Sequence, residues 1–226
     1  MNELKHLKQL IKYEISAYLL EVTSDEYKKL GTKSERTGIR TLRVFDFDDT
    51  IAKTNSKIGV VELDNQTQQQ AKEKYFINAG EFSILEKDPA KTYEFDFSDF
   101  ANVNDPKLVQ HTFSILKNIV KKIREDDGIP AVILTARGHD ANQNIREFLH
   151  SIDIKIPVKT LNSSDPKEKS EWIKQAMLNQ DIAHIEFFDD SVKNIRAVNS
   201  LRDDIELKDR FGTNLRIRTR LVVADK

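Results

Sequence analysis

Three short apolar runs, each followed at once by polar side chains, constrain the fold of this chain more than any other feature of its sequence. The runs begin at residues 41, 131 and 185, and amphipathic helical patterns lie between them. Continuous apolar strands that alternate with helices are typical of a parallel sheet with helices on both faces. In such sheets the functional side chains gather at the carboxyl ends of the strands. We therefore expect an α/β fold with a site built from the polar groups that follow these runs.

The remaining periodicities fit the same alternation of strands and helices. Helices are predicted at residues 107–126, 140–151, 166–178 and 192–201, and further strands at residues 156–161 and 215–223. Asp165 and Pro166 are residue types preferred at a helix N-cap and at the first helical position, so the third of these helices should begin there.

Residues 1–40 are predicted to form an N-terminal amphipathic helix and a polar linker. Apolar residues recur between positions 3 and 22 at steps of three and four, and Gly31 and Gly38 lie among basic residues after them. Such a helix either docks on its own domain or is presented to a partner protein. An apolar stripe needs a cover but does not identify it, so both interpretations stay open.

Composition excludes several classes of protein. The 36 basic and 37 acidic residues nearly cancel, which excludes a polybasic coat for nucleic acid. Without Cys there is neither a disulfide framework nor a thiolate metal site, and this fits a reducing compartment. No apolar run approaches the roughly 20 residues of a membrane span, and the N-terminus lacks the apolar core of a signal peptide. We expect a cytoplasmic protein that does not contact a membrane.

The acidic residues at two strand ends predict a metal site. Asp46 and Asp48 are two residues apart, so in extended backbone they point to the same side, and Asp49 should point away. Neighbouring carboxylates repel each other and need a cation, and Asp189 or Asp190 can complete an oxygen-rich site. Oxygen ligands without His or Cys suit Mg²⁺. The alternative is that these residues only cap helices and close turns.

The same residues carry a resemblance to a known family. Residues 43–50, with the sequence RVFDFDDT, resemble the first motif of the haloacid dehalogenase (HAD) superfamily, hhhDxDx[TV]. Residues 133–135 (ILT) resemble its second motif, a Lys at the head of a helix its third, and residues 187–190 (FFDD) its fourth. The four motifs occur in the family's order and span most of the chain.

The resemblance implies a Rossmann-like core at residues 41–226 and phosphoryl transfer through an aspartyl-phosphate. It implies that Asp46 is the nucleophile, and that Asp48 protonates the leaving oxygen and later takes a proton from water. It also implies a Mg²⁺ site and a phosphate site. The metal ligands would be Asp46, Asp48 through its backbone carbonyl, Asp189 and, through water or from outside the inner ligand sphere, Asp190. The phosphate ligands would be Thr135 and a Lys.

Two cationic residues of the predicted site have competing interpretations. Lys169 lies twenty residues before Asp189, which resembles the family's spacing, and Lys167 is a close second. The motif Thr135-x-Arg137 is similar to that of the phosphatase half of bacteriophage polynucleotide kinases, which implies that Arg137 holds phosphate. The alternative for Arg137 is a cap on the sheet edge or a pair with Asp140.

About eighty residues separate Asp48 from Thr135, more than the family's core needs. Residues 53–106 are therefore predicted to form a cap that selects the leaving group. The aromatic residues of this segment either form its own small core or line the substrate site. Near the C-terminus, Arg216, Arg218 and Arg220 share one face of a predicted strand, which is either a solvated edge or a contact for nucleic acid or an acidic partner.

The sequence thus predicts a Mg²⁺-dependent HAD-type phosphatase that acts on a phosphorylated small molecule. One alternative is a phosphatase of nucleic-acid ends, suggested by the Thr135-x-Arg137 motif and the basic linker. Another is a HAD fold used as a binding or assembly module of a larger complex, such as one of a bacteriophage, with the N-terminal helix as its docking element. Phosphoryl chemistry does not by itself identify the leaving group.

Overall fold

The computed structural model describes residues 29–67, 69–70, 72–121 and 128–223. The helix predicted at residues 3–22 lies outside this range, as does the end of the helix predicted at residues 107–126. Among the described residues, no helix is both long enough and apolar enough to cross a lipid bilayer.

Strands and helices alternate along most of the described chain. The strands are β1 (Thr32–Lys33), β2 (Arg40–Phe45), β3 (Ala52–Lys53), β4 (Ile58–Asp64), β5 (Tyr75–Ile77), β6 (Lys91–Asp96), β7 (Lys107–Leu108), β8 (Ala131–Thr135), β9 (Val158–Thr160), β10 (His184–Asp189) and β11 (Arg216–Leu221). The α-helices are α1 (Ala79–Ser83), α2 (Gln110–Val120), α3 (Ala141–Ser151), α4 (Pro166–Gln180), α5 (Val192–Ser200) and α6 (Ile205–Phe211).

The central sheet is mostly parallel, as the apolar runs predict. Its order is β11-β10-β2-β8-β9, all parallel, and the short β1 pairs antiparallel with the start of β2. Strand β2 therefore lies between β10 and β8. The three strands that end in the predicted polar clusters are neighbours, so their carboxyl ends bring those clusters together at one edge.

Helices cover both faces of this sheet because β2 sends alternate side chains to opposite sides. Leu42 and Val44 pack with Trp172 of α4 in one apolar cluster. Phe45 packs in a second cluster with Phe113 of α2 and with residues of α3. Two covered faces explain why the strands are continuously apolar rather than alternating.

A separate antiparallel sheet lies between β3 and β7 and is here called the small sheet. It has the order β5-β4-β6 and its own apolar cluster around Ile58, Val60 and Phe100. Strands β3 and β7 pair with each other where the chain leaves the core and returns to it, with Lys53 opposite Lys107. The segment predicted to be an insertion, residues 53–106, begins within β3 and ends one residue before β7, and its role as a cap stays a prediction.

Two sequence expectations need correction. The helix predicted from Lys107 begins at Gln110, because Lys107 and Leu108 form β7 and their backbone pairs with β3. Asp49 does not follow the alternation of an extended segment, because β2 ends at Phe45 and Asp49 has a left-handed backbone with φ 53°. Its backbone N–H donates to the carbonyl of Ala52, which turns the chain back.

Candidate active site

A cavity of about 840 Å³ opens at the carboxyl edge of the central sheet. Its floor holds most of the charged and hydroxyl side chains that the sequence singled out, together with Asp49: Asp46, Asp48, Asp49, Thr135, Arg137, Lys169 and Asp190. The neighbouring order of β10, β2 and β8 produces this convergence. The cavity lining also includes Asp49, which the alternation of an extended segment predicted to lie on the opposite side.

Lys169 joins the ends of β2 and β10. Its ammonium Nζ donates to Asp46 Oδ1 at 2.6 Å and to Asp189 Oδ2 at 2.8 Å, and all three residues are buried. Helix α4 aims this side chain because Asp165 caps its N-terminus, Pro166 starts it, and Lys169 lies on the same buried face as Trp172. Lys167 is exposed instead. Of the two candidates that the sequence left open, Lys169 is the one that reaches the carboxylates.

Asp189 is held from several sides at the end of β10. Its Oδ1 accepts from the backbone N–H of Ser191 at 2.8 Å, and the side-chain amide of Asn194 donates to both carboxylate oxygens at 3.0 Å. Sequence reasoning missed Asn194. The available signal was a polar side chain in the first turn of the helix that follows the Asp189-Asp190 pair.

Arg137 forms a two-pronged ion pair with Asp48. Its Nε donates to Asp48 Oδ2 at 2.9 Å, and its Nη2 donates to Asp48 Oδ1 at 2.7 Å. Nη2 also donates to Thr54 Oγ1 at 2.9 Å. Paired N–H donors that match two carboxylate oxygens fix orientation as well as charge. The structure thus gives Arg137 a role in holding Asp48.

The same guanidinium reaches the segment that returns from the small sheet. Its Nη1 donates to the backbone carbonyls of Phe100 and Asn102, and its Cζ lies 4.8 Å from the ring centre of Phe100. An Arg side chain has five N–H donors, and the five contacts to Asp48, Thr54 and these carbonyls use all of them. A contact from Arg137 to phosphate requires one of these bonds to break, and its role in phosphate binding stays a prediction.

Thr135 ends β8 at the cavity floor and is buried. Its hydroxyl oxygen accepts a hydrogen bond from the backbone N–H of Arg137 at 3.3 Å. This contact turns the backbone immediately after the strand. Thr135 therefore lies in the cavity lining beside Arg137, and its role in phosphate binding stays a prediction.

Two carboxyl groups of the cavity, those of Asp46 and Asp190, have raised pKa values. Burial raises the pKa of Asp46, the ammonium of Lys169 opposes that rise, and the charges of Asp189, Asp190 and Asp48 add to it. Partial burial, with Asp189 and Asp49 nearby, raises the pKa of Asp190 to about 7.

The pKa of Lys169 moves in the direction opposite to that expected for a buried amine. Burial alone lowers the pKa of an ammonium group, but the adjacent charges of Asp46 and Asp189 outweigh burial and hold the pKa of Lys169 above its usual value. Lys169 therefore stays charged across the physiological range.

Within the part of the chain that the structure describes, no three carboxylate or imidazole groups are arranged as a ready metal site. The ammonium of Lys169 lies between Asp46 and Asp189, and both oxygens of Asp189 already accept hydrogen bonds. A cation that binds Asp189 must therefore compete with Lys169 or Asn194.

We compared the chain with protein-family models, with curated protein sequences and with solved structures, and none of the three comparisons gave a match.

Proposed function

We propose that this chain is a Mg²⁺-dependent phosphohydrolase of HAD type, which cleaves a phosphate monoester through an aspartyl-phosphate on Asp46. The observation that carries the proposal is the buried ammonium of Lys169 between Asp46 and Asp189, at the ends of two adjacent parallel strands. A buried Lys that joins two carboxylates beside an open cavity suits the binding of a dianionic phosphoryl group.

In the proposed reaction, an oxygen of the Asp46 carboxylate attacks phosphorus, and the bond from phosphorus to the leaving oxygen breaks. Lys169 stabilises the negative charge on the phosphoryl oxygens, and Thr135 donates to one of them from the floor of the cavity. Water then attacks the phosphorus of the aspartyl-phosphate, which releases inorganic phosphate and regenerates Asp46.

Asp48 handles the protons in both steps. Asp48 enters the first step as the carboxylic acid and gives its proton to the leaving oxygen. The carboxylate that remains then accepts a proton from water in the second step. Its paired contact with Arg137 fixes the direction of its oxygens. Arg137 is thus a positioning residue in this mechanism, and the phosphate contact implied by the resemblance is an additional role for it.

The candidate ligands of the proposed site are of the type that Mg²⁺ prefers. All the candidate ligands are oxygens, and mutual repulsion helps raise the pKa values of Asp46 and Asp190, which indicates negative charge that a cation would relieve. Mg²⁺ would be held by Asp46, the backbone carbonyl of Asp48 and Asp189, with Asp190 acting through water or from outside the inner ligand sphere, and it would compete with Lys169 or Asn194 for Asp189. Bound there, it would neutralise charge on the transferring phosphoryl group.

The experiment is hydrolysis of acetyl phosphate and of an aryl phosphate, measured with Mg²⁺ and with excess chelator. We expect turnover only with Mg²⁺, and we expect Asp46→Asn to abolish it while the protein stays folded. Asp181→Asn is a matched control because Asp181 is exposed at the C-terminal end of α4. Full turnover in chelator, or in the Asp46→Asn variant, contradicts the proposal.

A further inference from the structure

The cavity continues beyond the carboxylates to an apolar wall that the small sheet and its connections supply. This wall consists of Ile58, Ala79, Phe82, Leu85, Phe97 and Phe100. A volume of about 840 Å³ lies within the range of roughly 300–1,000 Å³ typical of small-molecule sites, and a phosphate group fills only part of it. The rest of the cavity is available to the leaving group.

Phe97 is the wall residue whose ring is both fixed and exposed. Its ring meets Phe82 edge to face at a centroid distance of 5.4 Å, and it meets Phe100 in the same way at 6.4 Å. Yet 45% of Phe97 remains exposed. A ring that is packed against two neighbouring rings and keeps open surface in a concave site is suited to stack on another planar ring.

The charge of the lining argues for a neutral leaving group. Among the described residues that line the cavity, six are Asp and four are Lys or Arg, so further negative charge on the ligand is disfavoured. Uncharged hydrogen-bonding groups also line it, including Ser98, Asn162, Ser163 and Ser164. These groups suit hydroxyl-bearing or heteroaromatic ligands.

We propose that the leaving group of the substrate carries a neutral, planar aromatic ring, which stacks on Phe97. This inference rests on the proposed phosphohydrolase function. The bond from phosphorus to the ester oxygen breaks, the ring-bearing alcohol leaves with a proton from Asp48, and phosphate leaves after attack by water. Arylalkyl phosphates and nucleoside monophosphates share this chemistry.

The experiment compares kcat/KM within pairs of esters that differ in the ring but keep similar leaving oxygens. One pair is benzyl phosphate and cyclohexylmethyl phosphate, which tests planarity at similar volume. The other is adenosine 5′-monophosphate and ribose 5-phosphate, which tests the base. We expect at least one planar-ring ester to exceed its partner roughly tenfold. The pair that does so identifies the source of the ring.

Three variants assign that preference to a residue. Phe97→Leu keeps apolar volume and removes the ring, so the preference should fall to near unity. Phe97→Tyr keeps the ring and should retain it. Phe76→Ala is the control, because Phe76 is 62% exposed on β5 of the small sheet and does not line the cavity. Its kcat/KM values should match those of the wild type.

The outcomes separate the two proposals. Equal kcat/KM within both pairs, or a preference that survives Phe97→Leu, overturns the aromatic leaving group while hydrolysis of the ring-free esters still supports a phosphohydrolase. If none of these esters nor acetyl phosphate is hydrolysed with Mg²⁺, the proposed function fails, and the inference about its substrate fails with it.

Discussion

At the scale of single residues, two cationic side chains balance the negative charge of three acidic side chains at the site. Lys169 bonds to Asp46 and Asp189, and Arg137 bonds to Asp48. Removing one partner of a buried ion pair typically costs about 3–5 kcal/mol because the other charge is left uncompensated. A cation bound at the site, or protonation of Asp46, would recover part of that cost.

Lys169→Met keeps the aliphatic stem and removes the charge. We expect kcat to fall by roughly a hundredfold or more, because the charge acts on the phosphoryl oxygens in the transition state. Lys167→Met is the control, since Lys167 is exposed two residues earlier on the same helix. Steady-state kinetics on both variants test this, and a larger loss in Lys167→Met would reverse the assignment of the motif lysine.

The raised pKa of Asp190 predicts that the stability of the folded protein depends on pH. Its pKa is about 7 in the folded protein and near 3.9 when unfolded, so between these values the folded state binds more protons. The contribution of Asp190 to stability is therefore fully present below about pH 4 and is lost as the pH rises through about 7.

Asp190→Asn should remove this dependence. The free energy of unfolding of the variant minus that of the wild type should be larger at about pH 8 than at about pH 5. Urea unfolding of both proteins in the presence of chelator measures this difference. The same stability difference at both pH values would show that Asp190 is ionised normally in the folded state.

At the scale of elements, Arg137 joins the end of β8 to Asp48 and to the segment that returns from the small sheet. Its partners Asp48 and Phe100 lie 89 and 37 residues away in sequence. The hydrogen bonds to the carbonyls of Phe100 and Asn102 make the position of that segment and the orientation of Asp48 depend on one side chain. A change at Arg137 should therefore affect both.

Arg137→Lys keeps a positive charge but cannot supply five donors in a planar fork. We expect kcat to fall roughly tenfold or more with little change in KM or in inhibition by inorganic phosphate, because Asp48 loses its fixed orientation. The opposite pattern, weaker phosphate inhibition with kcat unchanged, would assign Arg137 to phosphate binding, as the Thr-x-Arg motif predicts.

The elements of the central sheet were predictable because burial on both faces leaves a clear sequence pattern. The predicted start of α4, with Asp165 as its N-cap and Pro166 as its first residue, is confirmed because local chemistry determines a helix start. The small sheet was not predicted, because some of its strands, such as the half-buried β6 (KTYEFD), carry mixed polar and apolar residues. The contacts of Arg137 depend on tertiary structure, because its partners are distant in sequence. Asn194 lies only five residues after Asp189, so its contact was within reach of local sequence reasoning.

At the scale of the whole molecule, the central sheet supplies the charged floor of the cavity, and the small sheet with its connections supplies the apolar wall. The N-terminal docking helix, the cytoplasmic location and the alternative of a nucleic-acid-end phosphatase stay predictions. So does the use of the fold as an assembly module. A metal that binds the floor should stabilise the entire folded state, because only the folded chain assembles these carboxylates.

Mg²⁺ should therefore raise the thermal unfolding midpoint, even without substrate. Ligand at about 100 times its Kd stabilises by roughly 2.7 kcal/mol when it binds only the folded state. The measurement is a thermal scan with MgCl₂ and with NaCl at equal ionic strength, on the wild type and on Asp46→Asn. An equal rise in both salts, or an undiminished rise in the variant, would place any Mg²⁺ effect outside this site.

The central claim is that Asp46 becomes phosphorylated during turnover, and chemical trapping of that acyl phosphate tests it most directly. Turnover with Mg²⁺ and acetyl phosphate is stopped by rapid acid quench, and borohydride then reduces the acyl phosphate to homoserine, which peptide mass spectrometry locates. The account predicts homoserine at position 46 and none at 48 or 49. Hydrolysis without conversion at position 46, or conversion at another carboxylate, would contradict it.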